Sequence, residues 1–133
     1  MRSYRRLTEV EWEIMEGVWT LGVRTTVREV HQHLYPDKRK AYTTVQTIMN
    51  ILTLKGFLKK EKFRHINFFT PQVSREEMGQ RETQLLVSRI YRGTFGAMVS
   101  DLVAVGTFSE KELKLLKAQI AVRVRGERVE KSH

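Results

Sequence analysis

The segment KAYTTVQTIMNILTLKGFL, from Lys40 to Leu58, combines an apolar stripe with an unusual polar face. Its apolar residues recur at i, i+3, i+4 and i+7, which predicts an amphipathic helix with one face in a core. No acidic residue lies between Asp37 and Glu61, although exposed helix faces are commonly rich in Glu and Lys. The polar face of this helix is formed by Thr43, Thr47 and Asn50, with Gln46 at its flank.

These side chains suit the edges of base pairs. The major groove of DNA accepts one α-helix, in which Gln or Asn can pair with adenine and a Thr methyl group can pack on the methyl group of thymine. Basic residues on either side would bind phosphates and fix the register of the helix. The alternative is an ordinary solvated helix face, followed by lysines that discourage strand addition. The basic residues are Lys38, Arg39 and Lys40 before the helix, and Lys55, Lys59, Lys60, Lys62 and Arg64 after it.

No other set of residues has the spacing of a catalytic or metal site. His31 and His33 form an H-x-H pair, but on a helix they point about 200° apart and cannot share one ion. The paired acids Glu76 and Glu77 fit the first turn of a helix, where the helix dipole favours negative charge. The sequence therefore predicts a protein that is not an enzyme and needs no cofactor.

Composition defines the class of partner. The chain has 133 residues, with 24 Lys and Arg against 15 Asp and Glu, and its net charge of +9 favours a polyanion or an anionic surface. Cysteine is absent, which excludes disulfides and thiolate metal sites. No apolar run approaches the ~20 residues of a membrane helix, and no secretory signal is visible. We expect a cytoplasmic protein without membrane insertion.

Capping boxes, in which Ser or Thr precedes Glu by three residues, mark the elements that position the polar face. The second helix must end before Pro36, and the opening segment forms the third helix and closes at Gly56. FLKKEKF and HINFFT then have the period of strands, with a turn around Phe63-Arg64. This order predicts a mainly α fold with a small β-hairpin wing, a winged helix-turn-helix. The boxes are Thr8 with Glu11, Thr26 with Glu29, Ser74 with Glu77, and Ser109 with Glu112.

Beyond Pro71 three further helices are predicted. The fifth is short and has a broad apolar face that it cannot bury alone, which favours a second copy of the chain as partner. The predicted parts are a DNA-binding winged helix-turn-helix over 1–72, a helical dimerisation domain over 73–122, and a frayed tail over 123–133. The predicted dimerisation residues are Leu86, Ile90, Phe95, Met98, Val99, Leu102, Val103, Leu113 and Leu116.

The chain resembles the penicillinase-repressor family of bacterial transcriptional regulators, of the BlaI/MecI type, over about residues 7–120. The resemblance is carried by LTEVEWEIMEGVW, TTVREVHQHL, AYTTVQTIMNILTLKGFL, FRHINFFTP and FGAMVSDLVAVGTFSEKELKLL. It implies a homodimer whose N-terminal winged helices bind a palindromic operator, while C-terminal helices hold the dimer together. Carried over by position, Thr43, Thr44, Gln46 and Thr47 face the groove and Arg64 lies on the wing.

The chain departs from that family at two points. The family's antibiotic-responsive members are cleaved at an Asn-Phe bond after a membrane sensor protease is activated, and Asp101-Leu102 stands at the matching position here. This substitution counts against such a protease as a partner. Copper-responsive relatives carry a cysteine cluster near the C-terminus, which this chain lacks. The predicted function is a DNA-binding repressor acting as a homodimer, and the alternative is a winged-helix module that binds protein.

Overall fold

A computed structural model describes residues 6–131 of the chain. Helices and strands follow one another in the predicted order of three helices, a hairpin and three further helices. None of the helices in the described part is long and apolar enough to cross a membrane. The elements are α1 (Glu9–Leu21), α2 (Val27–Leu34), α3 (Tyr42–Leu54), β1 (Leu58–Phe63), β2 (Ile66–Pro71), α4 (Arg75–Ile90), α5 (Phe95–Val105) and α6 (Glu110–Lys131).

Capping side chains begin four of the helices, as the sequence predicts. At the starts of α1 and α2, Thr8 and Thr26 each accept a hydrogen bond from the backbone of the Glu three residues later, and that Glu accepts one in return from the cap backbone. Ser74 and Glu77 make the same reciprocal pair before α4. Before α6 the Ser109 hydroxyl accepts from the Glu112 amide and donates to its carboxylate. Each pair satisfies amides that the helix leaves without partners.

The N-terminal part of the chain builds a core within itself. One compact unit ends at Gln84 and a second begins at Leu85. In the first unit α1, α2, α3 and the hairpin enclose fully buried side chains from every one of these elements. Phe69 of β2 also exchanges two backbone hydrogen bonds with Thr25, which ties the hairpin to the segment before α2. The fully buried apolar residues include Ile14, Met15, Val18, Val30, Tyr35, Val45, Met49, Leu52 and Met78.

The unit boundary lies further along the chain than residue 72, where the sequence analysis places it. The reason is packing, because Met78 on the first turns of α4 is fully buried in the core of the first unit. The Trp19 indole N–H of α1 also donates to the Val73 carbonyl at 2.9 Å, just before α4 begins. The first part of α4 therefore completes the N-terminal core.

The second unit leaves most of its apolar side chains exposed. Val87 is the single buried residue among its described side chains, and α5 buries none of its residues. Helix α6 continues to Lys131, whereas the sequence analysis predicts a frayed tail from residue 123. The segment after residue 122 contains Arg, Glu and Lys, which are good helix formers, and these extend the helix.

Candidate nucleic-acid interface

The two sides of α3 have opposite environments. Val45, Met49 and Leu52 are fully buried, so the helix is anchored in the core by its apolar stripe. The predicted DNA-contact residues on the remaining sides of α3 are exposed, except for Asn50, which is half-buried. This arrangement leaves an acid-free polar surface facing outward. Its exposed members are Thr43, Thr44, Gln46 and Thr47.

One threonine of this surface has a fixed hydroxyl. The Thr47 Oγ1 donates to the Thr43 carbonyl at 2.9 Å, one turn back along the same helix. The hydroxyl hydrogen is therefore used within the helix, and the oxygen and the methyl group of Thr47 remain for a partner. A methyl group in this position suits the thymine methyl in a major groove.

The start of α3 is positively charged and carries no capping side chain. Ala41 is the N-cap, it makes no side-chain hydrogen bond, and the first turn contains no acidic residue. Lys38, Arg39 and Lys40 precede it, with the guanidinium of Arg39 and the ammonium of Lys40 lying 5.2 and 5.7 Å from the centre of the Tyr35 ring. Unpartnered amides at a helix start together with nearby cations favour an anion such as a phosphate.

The buried ring of Tyr35 lies next to the cations of this basic turn. Burial raises the pKa of Tyr35, and the neighbouring Glu13 carboxylate raises it further. The phenol therefore stays neutral at physiological pH. Glu13 also binds Arg39 in an ion pair of 3.1 Å, which holds that guanidinium against α1.

The hairpin lies beside α3 and brings further cations to the same side. The Lys60 ammonium of β1 donates to the Asn50 side-chain carbonyl of α3 at 3.0 Å. The strands pair with Phe63 opposite Ile66, so the turn consists of Arg64 and His65 alone. Both turn residues are exposed. The predicted wing residue Arg64 thus lies at the tip of the hairpin.

A groove of about 390 Å³ separates α3 from the start of α2 and the hairpin turn. Gln46 lines it from α3, Arg28 from α2, and His65 and Asn67 from the hairpin. Gln46 is a predicted contact residue, whereas Arg28 and Asn67 are not. No spacing rule links Arg28 to Gln46, because their proximity follows from the packing of α2 against α3.

Lys55, a predicted phosphate contact, has a partner within the protein. Its ammonium lies 2.9 and 2.7 Å from the two carboxylate oxygens of Glu11 in α1. The Glu11 side chain is only 6% exposed, and releasing Lys55 would leave this carboxylate buried without its counter-charge. The charge of Lys55 therefore neutralises the Glu11 carboxylate and holds the end of α3 to α1.

The residues predicted to form a dimer are largely exposed in the single chain. All nine lie in the second unit, and eight of them are between 40% and 65% exposed, while Met98 is half-buried. Within this unit the Tyr91 hydroxyl donates to the Asp101 carboxylate at 2.9 Å, and this hydrogen bond raises the pKa of Tyr91. Helix α6 also exposes Leu115 and Val122, which the prediction omits. They lie on the opposite side of α6 from the predicted residues Leu113 and Leu116.

Comparison with known proteins places this architecture in a family. The model of the penicillinase repressor family matches residues 7–122. A penicillinase repressor of Bacillus licheniformis is 24% identical over 116 residues, which cover 87% of this chain and 90% of that protein. The methicillin resistance regulatory protein MecI of Staphylococcus aureus is 21% identical over 111 residues, covering 84% of this chain and 89% of that protein.

A solved structure supports the fold of the N-terminal part. The solution structure of the DNA-binding domain of the repressor BlaI is similar with a TM-score of 0.50 and 23% sequence identity, and the match covers 58% of this chain and 93% of that domain. The winged-helix architecture expected from the sequence is thereby confirmed. Because the family model extends over most of the chain, through the winged helix and into α6, the protein belongs to the penicillinase repressor family of transcriptional regulators.

Proposed function

We propose that the protein is a transcriptional repressor that binds a pseudo-palindromic DNA operator as a homodimer. The observation that carries this proposal is the acid-free polar face of α3, exposed beside a basic turn and a basic hairpin. Family membership and the names of relatives such as the penicillinase repressor of Bacillus licheniformis support the repressor role.

Each protomer would place α3 in one major groove, with the two grooves roughly one helical turn apart. Thr43, Thr44, Gln46 and Thr47 contact base edges in this proposal, and Asn50 contributes at the C-terminal half of the helix. Lys40 and Arg64 bind phosphates from the preceding turn and from the hairpin tip. Lys55 is left out of this set because Glu11 holds its ammonium.

The second unit supplies the dimer contact in this proposal. Its exposed apolar side chains on α4, α5 and α6 are covered by the same residues of an identical chain, as in an isologous interface. A two-fold symmetric dimer requires two inverted half-sites, so dimerisation and operator symmetry are linked predictions.

Selection of bound duplexes from a random DNA pool tests both parts at once. The selection is carried out at about 0.15 M salt, where binding through phosphates alone is suppressed. We expect recovery of an inverted repeat. Absence of any enriched sequence, with the protein shown to be folded and dimeric, would contradict sequence-specific binding and favour the protein-binding alternative.

Two variants separate base contacts from phosphate contacts on the selected site. Gln46→Ala should cost about 1–3 kcal/mol and relax the preference at one base pair. Arg64→Ala should weaken binding to all sequences alike and lower the salt dependence by about one counterion. Equal losses on selected and random DNA for Gln46→Ala would refute its role in reading a base.

A further inference from the structure

Helix α3 begins differently from the four helices that have a capping side chain. The helices α1, α2, α4 and α6 start at a Ser or Thr whose side chain accepts a hydrogen bond from a Glu amide. Helix α3 starts at Ala41, which has no side-chain acceptor. A capping box there would need Glu or Gln at the third helical position, which is Thr44 on the exposed polar face. A carboxylate at that position would repel a phosphate backbone.

The side chain of His31 in α2 reaches the backbone just before Ala41, the N-cap residue that has no capping side chain. The Nε2 atom of His31 lies 2.7 Å from the carbonyl oxygen of Lys40, the residue before Ala41. A carbonyl oxygen only accepts hydrogen bonds, so Nε2 carries a hydrogen and donates it. The imidazole is half-buried, so this bond is partly shielded from water.

Two aromatic rings hold the imidazole in place. Its centre lies 6.0 Å from the ring of Tyr42, the first residue of α3, with an angle of 76° between the planes. The ring of Tyr35, at the end of α2, lies 6.3 Å away with an angle of 51° between the planes. His31 therefore contacts both ends of the turn that joins α2 to α3, and it does so from the α2 side.

We propose that His31 is a positioning residue that anchors the backbone just before the N-cap of α3. Its hydrogen bond to Lys40 fixes the turn and thus the direction in which the polar face of α3 emerges, without placing a carboxylate on that face. The consequence for DNA recognition rests on the proposed function, whereas the consequence for the start of α3 does not.

Amide hydrogen exchange in the free protein tests the structural part. The Thr44 and Val45 amides bond to the Ala41 carbonyl in the first turn of α3. His31→Leu removes the donor, and we expect these two amides to exchange about tenfold faster, since a lost hydrogen bond weakens local stability by about that factor. His31→Gln, whose amide nitrogen reaches a similar position, should restore slow exchange. The matched control is His33→Leu at an exposed position of the same helix.

Binding measurements test the functional part. On the selected operator, His31→Leu should lower the ratio of operator affinity to random-DNA affinity about tenfold, while His31→Gln and His33→Leu keep the wild-type ratio. The random-DNA affinity itself should be unchanged in all three variants, since the phosphate-binding side chains are intact. His31→Asn, whose amide is too short to reach Lys40, replaces His31→Leu in both experiments should the latter not fold.

The outcomes distinguish this inference from the proposed function. Unchanged exchange at Thr44 and Val45 in His31→Leu would overturn the positioning role. Faster exchange with an unchanged affinity ratio would overturn its importance for recognition, and failure of His31→Gln to rescue would overturn the hydrogen bond as its basis. If the wild-type protein selects no sequence, the proposed function fails, and the exchange result alone then decides the role of His31.

Discussion

The two units of the chain differ in how far they bury their apolar side chains. The first unit buries side chains from α1, α2, α3, the hairpin and the start of α4 in a single core. The second has comparable apolar stripes on α5 and α6, but Val87 is the single buried residue among its described side chains. Exposed apolar stripes on several helices mark an interaction site. The comparison indicates that the first unit has a core within one chain, whereas the second leaves an apolar surface on which the proposed dimer contact would form.

The first unit should therefore respond to core mutations as an autonomous domain does. Leu52→Ala removes a fully buried side chain of α3 and should lower the free energy of unfolding of this unit by about 2–5 kcal/mol, because it leaves a cavity. Chemical denaturation at several protein concentrations measures the change, which should not depend on concentration. Leu54→Ala on the same helix is the control, since Leu54 is 87% exposed and its loss should change stability by less than about 0.5 kcal/mol.

Mutations in the second unit should instead change the association of two copies of the chain. Leu102→Asp places a charge on the apolar face of α5 and should weaken the proposed dimer by at least about a hundredfold, because a charge in an apolar interface has no partner. Sedimentation velocity measures the effect. Ser100→Asp adds the same charge to the opposite side of α5 and should leave the dimer intact. A Leu102→Asp protein that stays dimeric would show that the dimer contact lies elsewhere.

Local signals explain why the order of elements could be predicted. The capping pairs act over three residues, and the change from helical to strand period after Gly56 is visible in the residues themselves. Gly56 itself has a φ of 89°, as expected for a residue that ends a helix in the left-handed region. These features depend on neighbours in sequence, so the sequence alone defines them.

Tertiary contacts explain what the sequence analysis missed. Lys55 reads as a phosphate-binding residue beside α3, but its partner Glu11 lies 44 residues away in α1. The contribution of Arg28 to the groove and the contact of His31 with Lys40 likewise arise from the packing of α2 against α3. A charged residue in the sequence does not indicate which distant group its side chain will contact in the folded protein.

The ion pair between Lys55 and Glu11 predicts a pH dependence that belongs to the first unit alone. Burial by itself raises the pKa of Glu11, but the hydrogen bonds from Lys55 and Thr8 outweigh it and hold the pKa below its ordinary value of 4.5. A carboxyl group whose pKa is lowered by folding stabilises the protein above its ordinary pKa, and this contribution is lost as the pH falls through the lowered value.

Glu11→Gln should remove this contribution while keeping a side chain that can still complete the capping box. We expect the free energy of unfolding at pH 7 to fall by about 1–3 kcal/mol, with a smaller further loss on acidification than in the wild type. Glu61→Gln is the matched control, because its partner Lys59 and Glu61 are both more than half exposed. If the free energy of unfolding falls as steeply on acidification in Glu11→Gln as in the wild type, the pH dependence belongs to other carboxyl groups.

The smallest expected effect concerns the hairpin turn, where stability and binding should change in opposite directions. Arg64 and His65 have φ angles of 49° and 68°, a left-handed conformation that side chains disfavour and that Asn-Gly adopts readily. Replacing both by Asn-Gly should stabilise the first unit by about 1 kcal/mol and weaken DNA binding through loss of the Arg64 charge. His65→Gly alone should give part of the stability and keep the binding. If it weakens binding as much as the double variant does, His65 and not Arg64 is the contact at the wing tip, and the strain at this turn serves to present the imidazole.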